Sequence, residues 1–97
     1  MLKRIISGIA GKCLDFGYLA LIKELALQFN LTGTVSIKDD GSVQVIAEGE
    51  EEKLEEFVET LEIEGRDFFA ERTNFYVDWE KAKGEFEDFS IIPTPRH

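Results

Sequence analysis

The chain is poor in the residues that carry most side-chain chemistry. It has one cysteine, Cys13, and one histidine, His97, the last of its 97 residues. A single cysteine forms no internal disulfide and builds no metal site alone. A terminal histidine is placed as a tail rather than as a catalytic base. Both prolines, Pro93 and Pro95, fall after the last apolar segment, so nothing before them is broken by a fixed φ. No arginine occurs between Arg4 and Arg66. No apolar run approaches the length of a membrane span. The Met1-Leu2-Lys3-Arg4 start carries positive charge, but Ser7 and Gly8 interrupt the run behind it too soon for a signal peptide. The cytoplasm is the expected compartment. Basic residues are outnumbered, 11 against 20 acidic, for a net charge of −9. That balance disfavours nucleic acid and anionic membrane as partners, since either needs a cationic face.

What remains is an ordinary globular composition, 43% apolar and 32% charged, in a chain long enough for one small core. One domain is expected over residues 1–92, followed by a tail at 93–97. Leu2 to Ile9 reads as a strand. Tyr18, Leu21, Ile22, Leu25 and Phe29 recur at helical spacing, and Asn30 is a left-handed stop. Thr32 to Lys38 and Ser42 to Glu48 alternate around Asp39-Asp40-Gly41, the pattern of a hairpin with Val43, Val45 and Ala47 inward. Glu50-Glu51-Glu52 opens a second helix with Leu54, Phe57, Val58 and Leu61 on its apolar stripe. Its glutamates suit a solvated face, because a hard-cation site needs oxygens converging from a shaped loop. Gly65 is expected to break that helix, with a linker from Arg66 to Ala70. Arg72 to Trp79 and a short segment with Phe86, Phe89, Ile91 and Ile92 supply the last strands. The order βαββαβ plus a fifth strand predicts an α+β, ferredoxin-like two-layer sandwich: a mixed, largely antiparallel sheet with two helices on one face. The opposite face is left to solvent or to a partner.

The segment between the first strand and first helix, Gly11-Lys12-Cys13-Leu14-Asp15-Phe16-Gly17-Tyr18, is the candidate anion or ligand loop. A glycine-bearing strand-to-helix turn brings free backbone N–H groups to the positive end of a helix dipole. Lys12 is a point charge in that loop, without the fork geometry of a guanidinium. Cys13 reads as a small buried hydrophobe or, near a helix N-terminus, as a reactive thiol.

Several stretches resemble the acylphosphatase family: the strand-loop-helix beginning Ser7-Gly8, the run Asn30-Leu31-Thr32-Gly33-Thr34-Val35, the hairpin Asp40 to Gly49, the helix start Glu50 to Phe57, and the ending Gly84 to Ile91. The resemblance covers roughly residues 2 to 92. It implies a loop whose amides and closing arginine hold acyl-phosphate oxygens, and a strand asparagine that orients the attacking water. At the positions this resemblance assigns, the chain has Leu19 for the arginine, Ile37 for the asparagine and Asp15 for the middle glycine. Leucine and isoleucine offer no donor, and a carboxylate repels phosphate. The expectation drawn from this is an acylphosphatase-like domain without acylphosphatase activity. It would serve as a binding or regulatory module for a small molecule or protein, as a monomer or weak dimer, with no cofactor, no metal and no catalytic residue. The alternative is an acylphosphatase cleaving acyl phosphates to carboxylate and phosphate. An RNA-binding module of the same element order lacks the basic-aromatic sheet motif it would need. A dimerising ligand sensor is a further reading of the fold.

Overall fold

The computed structural model describes residues 1–11, 16–68 and 72–92. Its elements run β1 (Leu2–Gly11), α1 (Phe16–Gln28), β2 (Thr32–Ile37), β3 (Val43–Glu50), α2 (Glu51–Phe68), β4 (Arg72–Lys81) and β5 (Phe89–Ile92). The strands form one sheet in the order β4-β1-β3-β2-β5, antiparallel except for the β2–β5 pair. This is the expected ferredoxin-like sandwich.

Alternation along the strands sends one set of side chains into the core. Ile5 and Ile9 of β1, Val35 of β2 and Val43, Val45 and Ala47 of β3 are all buried. They meet Tyr18, Leu19, Ile22 and Ala26 of α1 and Leu54, Phe57 and Leu61 of α2 in a single cluster. The helices therefore share one sheet face. Phe29 and Phe57 meet edge to face, centroids 6.4 Å apart, where the helices approach. α1 ends as expected, with Asn30 at φ 56°. The β2–β3 hairpin turns at Gly41, φ 87°, closed by the Lys38 N–H on the Ser42 carbonyl at 2.7 Å. Asp40 Oδ1 accepts from the Ser42 N–H at 2.9 Å and the Ser42 hydroxyl at 2.6 Å. Those two bonds hold the Asp40 carboxyl below the usual carboxylate range.

Most strand and helix ends differ from expectation by one or two residues, and four differences bear on the site or the core. β1 continues through Ala10 and Gly11, because both are paired to β4. α1 starts at Phe16 and takes in Gly17, which shortens the candidate loop from both ends. Gly65 does not end α2, which runs on to Phe68. A helix-interior glycine costs only about 1 kcal/mol against alanine, less than an amphipathic helix gains from docking. The segment expected as a linker is thus helical at Arg66 to Phe68, while Phe69 and Ala70 lie outside the described residues. Finally, Phe86 is not in the last strand.

Residues 82–88 instead cross from β4 at one edge of the sheet to β5 at the other. This crossing covers part of the face opposite the helices, so that face is not wholly open. Arg4 and Glu48, cross-strand partners on β1 and β3, are only 7% and 6% exposed beneath it. The Arg4 guanidinium donates to Glu48 at 3.1 Å and to Glu85 at 2.6 Å, and lies 5.5 Å from the Phe86 ring centroid. Glu48 also accepts from the backbone N–H of Lys83 at 3.0 Å and of Gly84 at 2.9 Å. The expected tail, 93–97, lies outside the described residues.

Candidate functional site

β1 delivers the chain to the candidate site. Ile9 pairs with Val43 of β3, and Val43 pairs in turn with Ile37 of β2. The exit of β1 at Gly11, the hairpin tip and the start of α1 therefore gather at one end of the sandwich. Of the candidate loop, Lys12, Cys13, Leu14 and Asp15 lie outside the described residues, as does the side chain of Phe16. Gly17 is exposed in the first turn of α1, and Tyr18 is buried in the core. The frame is a strand, a four-residue connection and a helix N-terminus.

Leu19 is 3% exposed and Ile37 packs against the same core cluster. Leu19 is thus built into the hydrophobic interior and Ile37 lies partly buried at its edge, and neither side chain has a hydrogen-bond donor to offer. Arg4 is no substitute cation. It pairs with Glu48, near the opposite end of β1 from Gly11, and its charge is met by Glu48 and Glu85. Burial alone would lower its pKa, but the two carboxylates outweigh burial and raise it.

Outside the helix-covered core, the same end of the sheet carries a cleft of about 190 Å³. Its lining includes Gly8 and Ala10 of β1, Lys38 and Ser42 of the hairpin, Gln44 of β3 and Tyr76 of β4. Gly8 faces Tyr76 across the β1–β4 pair, and Tyr76 lies over it. A Cβ on Gly8 would meet Tyr76 Cε1 at 2.2 Å and Oη at 2.8 Å, so the ring lies here only because residue 8 has no side chain. Beside it the buried Ser7 hydroxyl donates to the Tyr76 carbonyl at 2.9 Å and holds β4 against β1. The residue pattern does not single out this cleft. Alternation turns Lys38 and Gln44 outward, but the β1–β4 register that brings Tyr76 over Gly8 joins distant parts of the chain.

A mixed α+β sandwich with two helices on one sheet face and a strand-to-helix connection beside a hairpin defines a small protein of ferredoxin-like fold. The family model for acylphosphatase matches residues 6–91, and the chain belongs to the acylphosphatase family. The acylphosphatase of Pyrobaculum islandicum is 32% identical over 87 residues, covering 89% of this chain and 90% of the relative. That of Salinibacter ruber is 32% identical over 89 residues, covering 92% of each. The crystal structure of the Bacillus subtilis acylphosphatase superposes with a TM-score of 0.77 at 28% identity, covering 95% of this chain and 99% of that one.

These relatives overturn the expectation of a non-enzymatic binding or regulatory module. Relatives spanning nearly the whole chain are acylphosphatases. The expectation rested on side chains alone. Backbone N–H donors at a strand-to-helix turn are present whatever side chains accompany them. Among the described residues no helix is long and apolar enough to cross a membrane, and no cluster of metal-ligating side chains occurs.

Proposed function

We propose that this protein is an acylphosphatase, cleaving the carboxylic–phosphoric anhydride of an acyl phosphate to carboxylate and phosphate. Its match to the family over residues 6–91 carries this reading. The chemistry asks little of a side-chain acid, because the departing carboxylate is already a stable anion. The demand falls on holding the phosphoryl oxygens and bringing water in line with phosphorus. In this reading the phosphoryl group sits at the connection after Gly11, against backbone N–H groups and the N-terminus of α1. Leu19 and Ile37 stand where the resemblance puts arginine and asparagine, so backbone donors carry more of the binding here. The candidate loop 11–18 remains the proposed ligand-holding segment, in a domain of residues 1–92 working as a cytoplasmic monomer or weak dimer.

Purified protein should hydrolyse benzoyl phosphate faster than the spontaneous reaction in the same buffer, with inorganic phosphate as a competitive inhibitor. Turnover equal to the protein-free control would overturn the proposal.

A further inference from the structure

We infer that the outer-face cleft beside the loop is the acyl-group subsite, and that Tyr76 makes it selective for a planar aromatic acyl group. This rests on the acylphosphatase reading above, and it goes further by assigning the substrate's other half.

The first support is charge. The cleft's lining contains one ammonium, Lys38, and one carboxylate, Asp40, which cancel. A phosphoryl group carrying negative charge gains little there, whereas an uncharged acyl group loses nothing. The second is shape. Tyr76 is 46% exposed, a large aromatic surface kept in water at the cleft wall. Its ring lies flush against the bare backbone of Gly8, where no side chain lifts it off the sheet. An aromatic ring with an accessible face is suited to stack on another ring, a contact worth about 0.5–1.5 kcal/mol beyond area burial. The third is place. Gly8 and Ala10, which line the cleft, precede by one to three residues the Gly11 exit to the proposed phosphoryl position. A substrate crossing the end of β1 would put its phosphoryl group at the connection and its acyl group on Tyr76. Gln44 and Ser42 on the rim offer amide and hydroxyl donors for the acyl carbonyl. Tyr76 here is a positioning residue. It touches the acyl group and takes no part in bond cleavage.

The test has a binding arm and a kinetic arm. Titration of the wild-type protein with benzoate should shift the amide signals of Gly8, Gln44 and Tyr76, and acetate at equal concentration should not. Tyr76→Leu keeps an apolar cover over Gly8 but removes the aromatic face. It should lower the benzoyl-to-acetyl phosphate ratio of kcat/KM about three- to tenfold, mainly through KM. Tyr76→Phe should keep the wild-type ratio. An unchanged ratio in a Tyr76→Leu protein that melts with the wild type would overturn the inference, as would benzoate shifts absent from the cleft. If the wild type hydrolyses neither substrate, the hydrolysis reading fails by itself. The benzoate titration then decides the aromatic subsite alone: shifts confined to the cleft support it, and their absence ends it.

Discussion

Truncating Glu48 to alanine should be among the most damaging substitutions outside the apolar core. The carboxylate is 6% exposed and accepts three hydrogen bonds, from Arg4 and from the amides of Lys83 and Gly84. Its removal leaves Arg4, itself 7% exposed, with Glu85 as its only ion-pair partner among the described residues. Breaking a buried pair by deleting one partner costs about 3–5 kcal/mol, most of it the stranded charge. Glu85 still neutralises the guanidinium at 2.6 Å, which favours the low end. The two freed amides add about 1 kcal/mol each unless water reaches them. The expected loss is about 4 kcal/mol, roughly 20 °C in melting temperature for a domain this size.

Urea unfolding of Glu48→Ala, Arg4→Met and the double variant forms a cycle that isolates the pair. The double variant should be clearly more stable than the sum of the single losses predicts, because no charge is left stranded. Glu85→Ala is the control. The Glu85 side chain is 53% exposed, so its loss should be about 1 kcal/mol or less. A Glu48→Ala protein no less stable than Glu85→Ala would refute the reasoning. It would mean that the crossing over residues 82–88 is held by its apolar contacts and not by this cluster.

Acid should find the same weak point. Burial alone would raise the Glu48 pKa, but the Lys83 and Gly84 amides and the Arg4 guanidinium outweigh burial and lower it. A carboxylate depressed in the folded state contributes stability above its unfolded value of about 4.3, and that stability is lost as pH falls through the folded value. The urea midpoint of the wild type should therefore drop more steeply below about pH 4.3 than that of Glu48→Gln. Gly33→Ala should cost about 3 kcal/mol in the same assay. Gly33 holds φ +145° between β3 and β5, and an added Cβ would lie 1.8 Å from the Ile46 carbonyl oxygen.

The sandwich was legible because its signals are local and agree with one another. Val43, Val45 and Ala47 alternate inward, Asp40-Gly41 turns the hairpin, and Asn30 stops α1 at positive φ. The misread boundaries are places where pairing or docking outweighs a local cue. Gly11 looks like a loop residue, yet β4 pairs with it, and Gly65 looks like a breaker, yet α2 continues through it. The Arg4–Glu48–Glu85 cluster shows the limit of such reading. Arg4 and Glu48 each stand in a strand pattern as outward-facing charges, the usual mark of solvent. Only the return of residues 82–88 across that face buries them.

The family was legible by resemblance, and the absence of activity was wrongly inferred from residue type, for one physical reason. A sequence displays side chains, and it displays backbone donors only through the turns that expose them. Leu19 and Ile37 are plainly unable to bind an anion, and the structure gives both a place in the core. That neither side chain can donate to an anion was therefore visible, but the amides of a strand-to-helix connection carry no letter of their own. Nor does the shape of Gly8, whose absent side chain makes room for Tyr76. On the proposed aromatic wall as on the proposed anion turn, what the chain offers a substrate depends on where its backbone lies bare.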